Sequence, residues 1–401
     1  MVWIHGGSFI GGGSATVAYD GKPLTTRGDI VVVSINYRLG AFGFLYIPGI
    51  TANAGMLDQI AALEWIQKNI GIFGGDPDNV TIFGQSAGAC SGISLIGMPT
   101  AKGLFNKVIA QSSPIFLPNP TTKSTKALME KLGLKARDIK TLRELKTEDI
   151  IEAQREIIKE NVGLDYEIMK FRPSIDKVGG TLPIHPLEAL KKGEGKNIDI
   201  LIGCNEEEQK TIMLSPSLKN VNAERVESLI TGSLRPLNLA HESKVLIQRY
   251  KNARKDLLPI DPVEILIAIG SDLIFRIPAI NIAEAQSKHN SNVFFYIFTW
   301  PSPLVKGACH SVEISFVFGT VGIPGMKYVV GKGSEVKTLS EKIMDSWIAF
   351  ARNGNPNHGN IPEWPVYNVE KRATMIIGKE FKVVNAPYEK EREIWDDFPE
   401  I

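Results

Sequence analysis

One pentapeptide constrains this chain more than any other feature. Gly84-Gln85-Ser86-Ala87-Gly88 sits between Val80-Thr81-Ile82-Phe83 and a helix-compatible segment that runs on to Ile96. A serine on a sharp strand-to-helix turn has a strained backbone, and bulky side chains two residues to either side would collide there, so glycines at 84 and 88 are what such a turn requires. The turn lifts the Ser86 hydroxyl above the sheet edge and directs a helix N-terminus near it. The partial positive charge of that helix end helps to stabilise a developing oxyanion.

The surrounding sequence alternates in the way an open, mostly parallel sheet demands. Val2–Ile4 is a short apolar strand ending at Gly6-Gly7, and Ile30–Ile35 is a continuous β-branched run expected to be a strand buried on both faces. Residues Leu57, Ile60, Ala61, Leu63, Ile66 and Ile70 fall at roughly helical spacing over 57–70. Val108–Ala110, 198–203 and Val293–Phe298 are further strands. Between them, 120–197 and 206–290 read as amphipathic helices with loops. Ile343, Trp347 and Phe350 mark a helix over 340–351 that stops near Gly354 and Pro356. No repeat or low-complexity linker interrupts the chain. The simplest organisation is one α/β catalytic domain over 1–401 with helical insertions at about 120–197 and 206–290.

A serine hydroxyl needs a base, and the base needs an orienting acid. Six histidines are available: His5, His185, His241, His289, His310 and His358. In folds built around a strand–Ser–helix elbow the triad runs Ser, acid, His along the chain, which removes His5. His310 follows the strand 293–298, with the small residues Gly307 and Ala308 before it; by position His241 and His289 remain open. The acid is expected after the strand 198–203, where Glu206, Glu207 and Glu208 crowd the C-terminal end at which active-site groups of open sheets gather. Periodicity does not choose among the three. His5-Gly6-Gly7-Ser8 follows the first strand, and its small residues let backbone N–H groups converge as half of an oxyanion site, with the Ala87 N–H as the other half. Gly11-Gly12-Gly13 extends the same loop. No Gly-Lys-Ser/Thr ending or dinucleotide-type glycine spacing supports a phosphate cradle.

Other functional classes are poorly served. Lys plus Arg number 45 against 44 Asp plus Glu, a net charge of +1 with no field to attract nucleic acid or an anionic membrane. No run is long and apolar enough for an integral membrane span. Cys90, Cys204 and Cys309 are far apart and odd in number, so they are read as small buried hydrophobes rather than a disulfide framework. The start, MVWIHGGSF, has no signal-peptide pattern, which for the chain as given implies a cytoplasmic location.

The sequence resembles the type-B carboxylesterase family, which includes cholinesterases and bacterial para-nitrobenzyl esterases. The motifs that carry the resemblance are VWIHGGSF (2–9), VVSINYRLGAFGFL (32–45), the block from Asn53 to Ala89, FRPSIDK (171–177), ILIGCNEEE (200–208), SDLIFRIPA (271–279), CHSVEISFVFG (309–319), WIAFARNGNPN (347–357) and WPVY (364–367). The resemblance implies an α/β-hydrolase fold, a gorge built from the helical insertions, and cofactor-free, metal-free hydrolysis of small to medium carboxylic esters through an acyl-serine. By the same resemblance Ser86 is the nucleophile, Glu208 the acid, His310 the base, and the N–H groups of Gly7, Ser8 and Ala87 the oxyanion donors. Asp272 resembles a support element, with Ser271 near the histidine's network. Phe275, Phe316 and Leu214 are candidates for the pocket wall, with core packing the commoner fate of such residues.

Three positions depart from the family pattern. Ser8 stands where many members have Gly, and the backbone N–H is what counts there. Gln85 replaces the usual Glu, which removes a negative charge beside the nucleophile and is expected to alter the histidine's pKa or the preference for cationic substrates. The usual segment before the strand at Val2, with its first strands, is missing. Its loss is expected to bare a sheet edge and to invite self-association. The rival readings are a non-catalytic binding protein of the same fold and an inactive, N-terminally truncated fragment.

Overall fold

Side chains along each strand alternate between two apolar layers, and this alternation organises the molecule. Val2, Ile4, Ile82, Val108, Ile200, Ile202, Phe295 and Ile297 enter one core. Their neighbours Trp3, Phe83, Ile109, Leu201, Phe294, Tyr296 and Phe298 enter the other. A sheet buried on both faces is the arrangement that parallel strands with helical crossovers require. The computed structural model describes residues 1–114, 121–135, 137–159, 169–215, 221–256 and 261–398.

The strands are Val2–Ile4 (β1), Val33–Ile35 (β2), Thr81–Gln85 (β3), Lys107–Gln111 (β4), Asp199–Asn205 (β5), Val293–Phe298 (β6), Ala373–Ile377 (β7) and Phe381–Asn385 (β8). They form one sheet in the order β2-β1-β3-β4-β5-β6-β7-β8. Every pairing is parallel except the final β7–β8 hairpin. The expected strand over 30–35 is shorter than its sequence suggests. Register pairs Val2 with Val33, so Ile30–Val32 lies beyond the start of β1 and has no full ladder beside it. β2 is also an edge strand, with β1 as its only strand neighbour among the described residues.

The helix read over 57–70 runs Ala54–Asn69, and the one read over 340–351 runs Ser334–Asn353. The latter ends at Gly354, whose φ of 71° is the left-handed conformation that glycine adopts without a Cβ penalty. In the regions read as helical insertions, helices include Thr147–Lys159, Ala223–Leu234, Ser243–Ala253, Pro262–Ser271 and Ile277–Ser287. Residues 120, 136, 160–168, 216–220 and 257–260 of those regions lie outside the described residues. The expectation that no run is long and apolar enough to span a membrane fails at Pro262–Ser287, helical throughout with a π-turn inside, the one stretch among the described residues that meets that test by length and composition; 94% of its apolar window is buried in the protein. All three cysteines are buried and unpaired.

The elbow itself is a packing problem solved by glycine. A Cβ on Gly88 would overlap the carbonyl oxygen of Ile4 on the neighbouring strand, and one on Gly84 would lie 2.6 Å from the Gly88 carbonyl carbon. Backbone atoms on a central sheet strand have little room to yield. Gly88→Ala is therefore expected to cost about 3 kcal/mol, the upper end for overpacking. The check is urea unfolding of the variant; a midpoint equal to the parent's would mean the elbow is not wedged against β1.

Candidate active site

The parallel strands point their C-terminal ends to one rim, and the chemically capable side chains converge there. Ser86 follows the last residue of β3, with φ 56° and ψ −122°, a strained pair that a turn between strand and helix imposes. Its N–H donates to Gln111 O at the end of β4 (2.9 Å), and its carbonyl accepts from Cys90 N in the helix Ala87–Ile96. These bonds hold the turn from both sides. Ser86 Oγ takes no hydrogen-bond partner among the described residues.

Glu208 lies three residues beyond β5 and is fully buried. Its Oε1 accepts from Asn205 N (2.7 Å) and its Oε2 lies 2.6 Å from His310 Nδ1. The backbone joins the same two residues, because His310 N donates to Glu208 O (3.1 Å). Burial alone would lower the His310 pKa, but the charge of Glu208, its hydrogen bond to the ring and a further contribution from Glu313 outweigh burial and raise it.

The three glutamates that the sequence left open have three fates. Glu206 pairs with the Tyr388 hydroxyl. Glu207 binds Lys210 Nζ (2.9 Å), which also binds Glu264 (2.7 Å), tying the loop to the helix Pro262–Ser271. Glu208 alone turns inward to a histidine. The histidines separate equally well. His241 is exposed beside Glu242, and His289 bonds the Lys191 carbonyl at the surface. His185 caps a helix through Leu187 N, and His358 bonds Ser346 Oγ. His5 is buried under the glycine loop, stacked on Tyr37 at 4.6 Å, with Nδ1 on the Gly6 carbonyl.

That loop, residues 5–13, turns back on itself. Ile10 N and Gly11 N both donate to Gly7 O (3.0 Å each), which needs positive φ at Gly7 (118°), Ser8 (54°) and Phe9 (61°). At Gly7 a side chain would collide with Gly11 O. A Cβ on Gly6 would sit 3.2 Å from Ser86 Cβ, so the loop lies directly against the elbow. Among the described residues no acceptor takes the N–H of Gly7, Ser8 or Ala87; Ala87 N–H is the first of the helix Ala87–Ile96 and is free by position.

A second buried carboxylate stands behind the pair. Glu313 Oε2 accepts from Asn205 Nδ2 (2.7 Å) and Oε1 from Gln111 Nε2 (3.2 Å), while Gln111 Oε1 accepts from Trp347 Nε1 (3.2 Å). Burial, then the nearby Glu208 charge, push the Glu313 carboxyl up to about 6. Sequence reading quoted Glu313 and Asn205, which touches both carboxylates, only within motifs and gave neither a role. The one available signal for Asn205 was its position as the last residue of β5.

Ser271 sits one step from the histidine: its Oγ accepts from Gln209 N (3.1 Å), next to Glu208. Asp272 is completely buried, and His310 is not among its hydrogen-bond or ion-pair partners. It pairs with Arg276 (2.5 Å) and accepts from the Tyr250 hydroxyl (2.5 Å), which in turn accepts from Trp395 Nε1 (2.6 Å). This polar cluster anchors a π-helical turn, Asp272–Arg276, that carries Phe275 to the imidazole of His310 at 4.7 Å between ring centroids. Phe316 belongs instead to the opposite core, against Phe298 and Trp300. Leu214 is exposed, so the core packing thought commoner for it does not occur. Cys309, beside the histidine, has its thiol pushed up to about 11, first by burial and then by Glu208, and so is no thiolate at neutral pH.

Residues 1–395 match the profile of the Carboxylesterase family. The chain is 36% identical over 406 residues to a para-nitrobenzyl esterase of Bacillus subtilis (strain 168), covering 98% of this chain and 78% of that protein. It is 32% identical over 424 residues to carboxylesterase 1E of Rattus norvegicus, covering 99% of this chain and 73% of that one. Among solved structures, a PNB esterase superposes with a TM-score of 0.82 at 35% identity, over 98% of this chain and 80% of the other.

Proposed function

Because the chain belongs to the carboxylesterase family and is an α/β-hydrolase that cleaves carboxylic esters, we propose that Ser86, His310 and Glu208 perform the cleavage through an acyl-serine intermediate. The observation that carries this reading is the 2.6 Å contact between His310 Nδ1 and a fully buried Glu208, at the sheet rim where the strained Ser86 turn emerges. A carboxylate on Nδ1 keeps the proton there and leaves Nε2 as the base. His310 Nε2 takes the Ser86 proton as Oγ attacks the ester carbonyl. The N–H groups of Gly7, Ser8 and Ala87 receive the tetrahedral oxyanion. The imidazolium returns its proton to the departing alcohol; a water that gives its proton to His310 Nε2 then attacks the acyl carbon, the bond to Ser86 Oγ breaks, and the imidazolium returns the proton to Oγ as the acid leaves.

The substrates are small to medium esters with an uncharged or weakly charged alcohol. Gln85 places a neutral amide, not a carboxylate, beside the nucleophile, so no charge there draws a cationic alcohol. A fluorophosphonate probe tests the assignment directly. It is expected to label Ser86 stoichiometrically in the parent and to leave Ser86→Ala unlabelled; labelling at another residue, or none in the parent, overturns it.

A further inference from the structure

Gln85 makes a contact with His310 that does not fit a simple hydrogen bond. It is the last residue of β3, it is buried, and its amide nitrogen lies 3.1 Å from His310 Nε2 and 3.4 Å from His310 Nδ1. A donor on the in-plane lone pair of Nε2 would sit on the far side of that atom and much further from Nδ1. Near-equal distances to both ring nitrogens place the amide nitrogen over the face of the imidazole. Nδ1 is already committed to Glu208 in the ring plane (2.6 Å), so the in-plane direction at Nε2 stays open.

We infer that Gln85 is a positioning residue that lies across the imidazole face of His310, fixes the ring's rotation, and holds it in the neutral, proton-accepting form. The inference rests on His310 being the base for Ser86. Three contacts define the ring: Glu208 at Nδ1, the Gln85 amide on a face, and the Phe275 ring at 4.7 Å. Gly6 makes room for the clamp, since a Cβ there would approach Gln85 Oε1 to 3.0 Å. The glycine loop thus packs on the residue that covers the base.

The sign of the electrostatic effect follows from the orientation. An amide N–H directed at a ring face is attracted to the π-cloud of neutral imidazole and repelled by an imidazolium. The charged groups that act on the ring are Glu208 and Glu313, and both favour the imidazolium. Gln85 opposes them. The two buried carboxylates otherwise favour the protonated ring. The neutral amide keeps Nε2 available without removing the acid that orients it.

The test is the titration of His310, followed by NMR of histidine-labelled protein in the parent, Gln85→Glu and Gln85→Leu, with His310→Gln to assign the signal. A carboxylate laid on the same face is expected to raise the His310 pKa by about 1–3 units. Leucine keeps bulk without the dipole and is expected to give a smaller rise. The acidic limb of kcat/KM on a para-nitrophenyl ester should move upward in the same order. Unchanged titration in both variants overturns the inference. A fall in Gln85→Leu also overturns it, because it would mean the amide carbonyl, not the N–H, faces the ring. Titration does not depend on turnover, so an inactive parent would refute the role of Ser86 and still leave the clamp measurable.

Discussion

Ser86→Ala is expected to lower kcat/KM for a para-nitrophenyl ester by about a million-fold, the scale on which loss of a serine nucleophile acts in unrelated hydrolases. The fold should be unaffected. Ser86 Oγ bonds to no described residue, so its removal orphans no partner, and the two bonds that fix the turn come from the Ser86 backbone. Alanine pays the same strain at φ 56° as serine does. The variant should therefore melt within a degree or two of the parent while losing its turnover. Residual hydrolysis above that of water would come from the backbone donors of the 5–13 loop and the first turn of the helix Ala87–Ile96, which remain. Parent-like rates would move the nucleophile elsewhere. Cys309, beside the histidine, offers no ready substitute, because burial and then Glu208 push its thiol up to about 11.

What the sequence could reveal depended on how local the cause was. The elbow is local: a glycine two residues either side of Ser86 answers steric contacts with Ile4 O and with the turn's own backbone, so the pentapeptide carries its explanation with it. Strands β5 and β6 are legible for a similar reason, since the middle of a strand buried on both faces is a continuous apolar run, as over 200–204 and 293–298. The edge was not. Ile30–Val32 has the composition of a buried strand, yet its ladder depends on the length of β1, which is a fact about another segment. The choice among Glu206, Glu207 and Glu208 was also non-local. It is made by Tyr388, Lys210 and His310, lying from 3 to 182 residues away along the chain. Family resemblance supplied Glu208; no spacing rule could. Glu313 and Asn205 escaped because a buried carboxylate and its amide partner have no sequence period, and their pairing exists only once β5 and the 309–319 segment are packed together.

Glu208→Gln tests that pairing most sharply, because the substitution keeps shape and changes only which groups donate. Glu208 has two fixed neighbours. Asn205 N is a backbone donor and can only be met by an acceptor (2.7 Å), while His310 Nδ1 now donates to the other oxygen (2.6 Å). A carboxylate satisfies both. A carboxamide has one acceptor, and the immovable Asn205 N–H claims it. The NH2 group must then face His310 Nδ1, which has to become the acceptor, and the ring proton moves to Nε2. That is the wrong tautomer for a base directed at Ser86, so kcat is expected to fall by about ten-thousand-fold. The pH profile supplies an independent sign. Glu208 is the main influence raising the His310 pKa against burial, so the parent's acidic limb should lie above that of an ordinary histidine. With the charge gone, burial prevails and the limb should move to lower pH, even as the plateau drops. Lower rate and a lower acidic pKa together identify loss of the charge and of the tautomer; a general structural defect would lower the rate without moving the limb. A kcat within tenfold of the parent, or a limb that shifts upward, would show that His310 does not depend on Glu208 for its proton.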